Sequence, residues 1–377
     1  MIGRLPRSLL EDWMRDYYFH CELDIGSSGV SALSVRDLRE ATGIEYAEMD
    51  AVELRDAPPF GGLRLRRLIA ERWGGGDPET VVVTHGGSEA IFLAFNAVVG
   101  PGDEVVVAGP GYHSYGSLAN ALQCTTRCWQ LEARRGFRPD LKALREVVNN
   151  RTRLIAVNFP HNPTGVTLTE AELRELVAIA EENEAFLLWD DAFGELTYDA
   201  PPLPSAATMS PLVVTVGTLS KAFGLPGLRV GWCVAAPDVI QRMATLRDVT
   251  TLHLSPLIEF LAERVLLHAD AIVKRVIDVA RANRELVTEW SAQAPQVEAP
   301  VPAGGVTTFP HILGFDDTRG LCRYLAERAG VLLVPGDCFD DPTRVRLGFG
   351  GTTAELGAGL LQLDAALALP RRSISMG

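Results

Sequence analysis

No apolar run in this 377-residue chain approaches the roughly 20 residues needed to cross a bilayer as a helix. The stretch from Met1 to Glu11 lacks the apolar core of a secretion signal. Basic charge is short: 35 Lys and Arg stand against 48 Asp and Glu, a net charge of −13. That balance, with no basic extension, argues against nucleic acid or an anionic membrane as a partner, though not against a cationic small substrate. Cysteine is sparse and scattered over Cys21, Cys124, Cys128, Cys233, Cys322 and Cys338. Cys124 and Cys128 form the one close pair, and no second pair or nearby histidine completes a zinc site, so no metal is expected. Most of the thiols read as small buried hydrophobes in a reducing compartment, and the expected location is the cytoplasm. Internal repeats and low-complexity segments are also missing.

What is present is the texture of a globular α/β protein, with 47% hydrophobic and 22% charged residues. From about Leu63 onward, short apolar runs at 80–84, 104–108, 154–158, 186–189 and 213–216 read as buried strands. Helical periodicity over 88–98, 140–148 and 169–182 separates most of them. Thr169 and Glu172 form a capping-box pattern, and Pro237-Asp238 opens another helical stretch. This alternation predicts a mostly parallel sheet with helices on both faces. After about Ser255 the pattern changes. Residues 256–290 read as one long helical region, followed by strands at 305–309, 331–334 and 344–347 and helices at 318–329 and 354–367. The first thirty or so residues read as an arm on this second unit.

Lys221 lies in Thr218-Leu219-Ser220-Lys221-Ala222-Phe223-Gly224, directly after a buried strand. Taken alone it reads as a surface-loop lysine. Its context says otherwise. Thr84-His85-Gly86-Gly87-Ser88 is a strand–turn–helix junction whose small residues and free N–H groups suit a phosphate. Tyr112 follows Pro110-Gly111 and could set a ring at a strand end. Asn162 sits in the Pro-rich turn Asn158-Phe159-Pro160-His161-Asn162-Pro163. Asp190 ends the apolar strand 186–189, at the edge where such sheets bind ligands. Arg346 lies in an alternating strand that could point one guanidinium inward.

The order and spacing of these elements resemble the fold-type-I enzymes of pyridoxal 5′-phosphate (PLP), the aspartate aminotransferase superfamily. The resemblance covers nearly the whole chain. It implies a large domain with a mostly parallel seven-stranded sheet between helices, plus a smaller α+β domain. The expected division is an arm at 1–45, a PLP-binding domain at 46–255 and a small domain at 256–377. By the same resemblance, Lys221 would hold PLP as a Schiff base and move protons. Asp190 would keep the pyridine nitrogen protonated. Asn162 would bond the ring hydroxyl, and Tyr112 would stack on the ring. Gly86, Gly87, Ser88, Thr218, Ser220 and Arg229 would hold the phosphate, and Arg346 the substrate carboxylate. Such enzymes are usually homodimers. Two positions depart from the transaminase pattern: Phe193 stands where a tyrosine is usual, and the tyrosine expected near Asp56 is absent.

Both departures are shared with the capreomycidine synthase-like hydroxyarginine cyclases. So are Glu11-Asp12-Trp13, Asp24-Ile25-Gly26-Ser27-Ser28-Gly29-Val30, Tyr112-His113-Ser114, Leu188-Trp189-Asp190 and Gly304-Gly305-Val306-Thr307. The resemblance implies PLP-dependent loss of a hydroxyl from hydroxylated L-arginine, followed by ring closure by its guanidine. The hydroxyl position stays open. Glu11, Asp24, Asp56 and Asp191 are candidate partners of the guanidinium, and Ser28 is a further substrate-binding candidate from the same segment as Asp24. His20 and His113, ahead of His85 and His161, are candidates for protonating the departing hydroxyl. The alternative is an aminotransferase with the same cofactor site. A binding module that has lost catalysis is disfavoured by the intact Lys221, Asp190 and Arg346.

Overall fold

The computed structural model describes residues 6–370; residues 1–5 of the expected arm and 371–377 of the expected small domain lie outside them. Eight strands position the site. β1 (Leu23–Asp24) belongs to the arm, and β2 (Val81–Thr84), β3 (Glu104–Gly109), β4 (Thr125–Gln130), β5 (Thr152–Asn158), β6 (Phe186–Asp190), β7 (Val213–Thr218) and β8 (Gly231–Val234) build one sheet. Its order is β2-β8-β7-β6-β5-β3-β4. β8 runs antiparallel to β2 and β7, and the other pairs are parallel.

Alternate residues of each strand feed two cores. Val82, Val105, Leu154, Leu188 and Val214 pack with Ile91, Phe95 and Met243 on one face. Val83, Val106, Ile155, Leu187 and Val213 pack with Leu144, Leu173 and Leu176 on the other. Burial on both faces explains why the central strands read as unbroken apolar runs. β4 and β8 escape such a reading. β4 is an edge strand on which only Trp129 is buried, and β8 is a four-residue strand behind a Gly-rich loop.

The helical region after Ser255 is two helices, Pro256–Leu267 and Ala269–Gln293, broken at His268. The run read as one strand at 331–334 is also two. Val331–Leu332 pairs in parallel with β1, and Val334–Pro335 pairs with the strand Val345–Gly348. The arm is thereby stitched to the small domain. Trp13 is buried and donates its indole N–H to Leu333 O at 2.8 Å.

Candidate active site

β5 ends at Asn158, β6 at Asp190 and β7 at Thr218, with Asn158 paired to Asp190 across the ladder. The helix Gly86–Val98 begins two residues beyond the end of β2. These strand ends, the arm and the strand Val345–Gly348 enclose a cavity of about 640 Å³. Gly87, Ser88, Tyr112, Asn162, Asp190, Thr218, Ser220, Lys221, Arg229 and Arg346 all line it.

One end is built for an anion. Gly86 has φ +79°, and a Cβ there would lie 2.5 Å from Arg229 Nη2, so glycine alone lets the guanidinium lie against the helix start. Arg229 donates to Pro226 O at 3.1 Å and has no ion pair among the described residues. The Thr218 and Ser220 hydroxyls lie 2.9 Å apart. Free helix N–H groups, hydroxyls and an unpaired guanidinium suit a phosphate.

At the centre, Lys221 Nζ donates to Ser28 Oγ at 3.2 Å and lies 5.6 Å from the Phe193 ring centroid. Burial, then the charge of Arg346, bring its amine down to about 8 against the pull of Asp190. Asp190 is buried, and its carboxylate accepts from Tyr115 Oη at 2.7 Å and from Ala192 N at 3.0 Å. Burial raises its pKa, while these donors and Lys221 lower it. Tyr115 is not among the residues the sequence motifs single out. It lies one helical turn beyond Tyr112 on the helix His113–Ala121, and this spacing is the signal that could have found it. Burial and the Asp190 charge push its hydroxyl well above the ordinary tyrosine value, which keeps it a donor.

Arg346 is 2% exposed, with Nε donating to Gly26 O at 2.9 Å and Nη1 to Asn162 Oδ1 at 3.4 Å. The lining also holds the carboxylates Glu11, Asp24 and Glu355, with Arg15, which pairs with Asp12. Asp24 Oδ1 accepts from Gly26 N and Ser27 N at 3.1 and 2.8 Å. Glu355 Oε1 accepts from Asp24 N at 2.9 Å. Glu355 also escapes the sequence reading, which has it only as a residue of the last helix; in the structure Thr352 caps that helix, accepting from Glu355 N.

Several candidates are not brought together. His20 is exposed past the helix Leu9–Tyr17 and does not line the cavity. Asp56 is fully exposed beside His253, 3.2 Å away. Asp191 turns from the cavity to accept from the Trp189 indole at 3.1 Å. His85 meets Glu89 at 3.2 Å, and His161 is buried against Thr164 at 2.8 Å, its pKa brought down to about 3 by burial. His113 packs edge-on against Tyr112, with Nε2 3.9 Å from Glu11 Oε1 and a buried Nδ1 that has no hydrogen-bond partner among the described residues.

A doubly wound sheet with a lysine held inside a cavity, a buried carboxylate and an anion cradle at its strand ends defines a PLP enzyme of fold type I. The chain belongs to the aminotransferase class I and II family, whose pattern it matches over residues 43–361. It is 44% identical over 376 residues to capreomycidine synthase of Streptomyces vinaceus, covering 99% of this chain and 97% of that one. It is 29% identical to the aspartate/prephenate aminotransferase of Thermus thermophilus, covering 80% of each. Among solved structures, the PLP-dependent cyclase OrfR superposes with a TM-score of 0.91 at 40% identity, covering 97% of this chain and 98% of that one. A PLP-dependent aminotransferase from Streptococcus suis superposes at 0.92 with 29% identity, covering 98% and 99%.

The residues present fit PLP. The cradle would take its phosphate, Asp190 would face its ring nitrogen and Lys221 would meet its aldehyde. An uncharged amine is the nucleophile toward that aldehyde, and this gives a pH prediction. Uptake of PLP by cofactor-free protein should accelerate with pH and level off above about 8. For an ordinary lysine, of pKa about 10.4, it would keep rising. Stopped-flow absorbance between these limits decides which holds.

Proposed function

We propose that this enzyme removes water from a hydroxylated L-arginine and closes its guanidine onto the carbon that lost the hydroxyl. The observation that carries the reading is the mixed charge of the cavity: Lys221 and Arg346 line it, and so do three carboxylates, Glu11, Asp24 and Glu355, with Arg15 also in the lining. An amino acid with a cationic side chain satisfies both signs of charge. The whole-length likeness to capreomycidine synthase and to the cyclase OrfR points the same way.

Bound PLP supplies the electron sink that takes up the pair left when the Cα–H bond breaks. Lys221 removes that proton, with its lowered pKa suiting it as a base near neutrality. Asp190, oriented by Tyr115, holds positive charge on the ring nitrogen. Arg346 grips the carboxylate and fixes which face of Cα meets Lys221. The carboxylates fold the guanidine back toward the reacting carbon, so ring closure gains mainly from proximity. A hydroxyl on Cβ leads to a six-membered ring. A hydroxyl on Cγ requires a second proton from Cβ and leads to a five-membered one.

Glu355→Gln should raise KM for the hydroxylated arginine about 10-fold with kcat little changed, since a charge-assisted bond becomes a neutral one. Steady-state kinetics on wild type and the variant check this.

The phosphate end is open in the single chain, where Ser88 and Arg229 are exposed, and Leu54, Val249 and Leu252 present apolar surface. We propose a homodimer that covers both; light scattering showing a monomer at assay concentration would remove it. The main test mixes purified enzyme with L-arginine and with its Cβ- and Cγ-hydroxylated forms. Loss of one water from one of them, with the cofactor band recovered, supports cyclisation. Release of a keto acid with the band bleached would make it an aminotransferase.

A further inference from the structure

We infer that Ser28 is the proton relay that carries the Cα proton from Lys221 to the departing hydroxyl. The inference rests on the cyclisation reading and deepens it. Loss of hydroxide is unfavourable without an acid at its oxygen. The cavity lining offers carboxylates, arginines and several hydroxyls, Tyr18, Ser27, Ser31 and Tyr112 among them, and of the hydroxyls it is Ser28 that meets Lys221. The proton in place is the one Lys221 has just taken. Ser28 Oγ is 3.2 Å from Lys221 Nζ, lines the same cavity, and comes from the arm rather than from the sheet. A serine hydroxyl has one donor and two acceptor sites, so it can accept from Nζ and donate at the same moment.

The loop around Ser28 is held from several sides. Asp24 Oδ1 ties down Gly26 N and Ser27 N, Gly26 O accepts from Arg346 Nε, and Ser31 N donates to Gly350 O at 3.0 Å. A Cβ at Gly26 would lie 2.8 Å from Leu333 Cα, so the loop lies flush on the small domain. The residue that grips the carboxylate and the residue that meets the amine thus hang on one short segment.

The step balances without an added reagent. Lys221 ammonium gives a proton to Ser28 Oγ, and the Ser28 hydroxyl gives its own to the leaving oxygen. For a hydroxyl on Cβ the C–O bond breaks with its electron pair going to that oxygen, a Cα–Cβ double bond forms from the pair released at Cα, and water departs; for one on Cγ the double bond forms from the pair released when the Cβ proton is taken. Lys221 is a neutral amine again.

The test compares wild type, Ser28→Ala and Ser28→Thr in deuterated water with the hydroxylated arginine that wild type converts. Deuterium uptake at Cα of recovered substrate is read beside formation of the dehydrated product. Ser28→Ala should keep Cα exchange while product formation falls roughly 10²-fold, and Ser28→Thr should restore most of it. Loss of both in proportion, or of neither, overturns the relay. A second readout needs no turnover. The chain has three lysines, Lys142, Lys221 and Lys274, so side-chain-labelled lysine resolves Lys221 by NMR in cofactor-free protein. Ser28→Ala should move its titration midpoint, and an unmoved midpoint counts against the contact. Ser28→Gly substitutes if the alanine variant does not fold. If wild type dehydrates neither hydroxylated arginine, the cyclisation reading falls and the relay with it.

Discussion

Lys221→Ala is expected to lower kcat about 10⁴-fold, the upper end for loss of a positioned base. In the proposed mechanism the same amine has two duties, anchoring PLP and taking the Cα proton, and no other lysine lines the cavity. Its surroundings are tuned for both. Burial and Arg346 bring the amine down to about 8, while Asp190 keeps it from falling further. The anion cradle is untouched by the substitution, so PLP should still bind, now without its covalent link. Equilibrium dialysis should therefore show retained cofactor, absorbance should show an altered band, and a small added amine should restore part of the proton transfer. A variant that kept a tenth of wild-type turnover would remove Lys221 from the mechanism.

Asp190→Asn is expected to cost about 10³-fold in kcat, the scale for losing one preorganised electrostatic contact in a dry site. An amide keeps the shape and can still meet Tyr115, but it cannot hold positive charge on the ring nitrogen. The cofactor-free protein should respond in the opposite sense. Burial raises the Asp190 pKa, so the folded state binds its proton more tightly than the unfolded state does. The carboxyl group's contribution to stability is therefore present at acid pH and is lost as pH rises through the raised value. At neutral pH the cofactor-free Asn variant should melt above wild type, and the difference should close on acidification. Activity lost while stability is gained is the mark of a charge kept for chemistry.

The residues proposed to hold PLP could be read as one group, and the structure brings them to one cavity, because they stand at or just past strand ends, where short motifs meet a predictable edge. The substrate side was not. Asp190 and Asp191 are adjacent in sequence, yet one lines the cavity and the other turns to Trp189, since successive strand residues face opposite ways. Glu355 carries the same helix-start signature as Glu172, and only the return of the last helix to Asp24 separates their roles. Tyr115 is a buried aromatic like many others until its hydroxyl is seen against Asp190. His20 adjoins the right segment in sequence, but the arm points it to solvent.

The pairing of β1 with Val331–Leu332 also orders events in time. A chain made from its N-terminus carries the arm without its partner strand through most of synthesis. The large sheet, complete by Val234, can form while Asp24 and Ser28 still wait for residues about three hundred positions downstream. Until that last stretch is made, the segment carrying Asp24 and Ser28 has no strand to lie against.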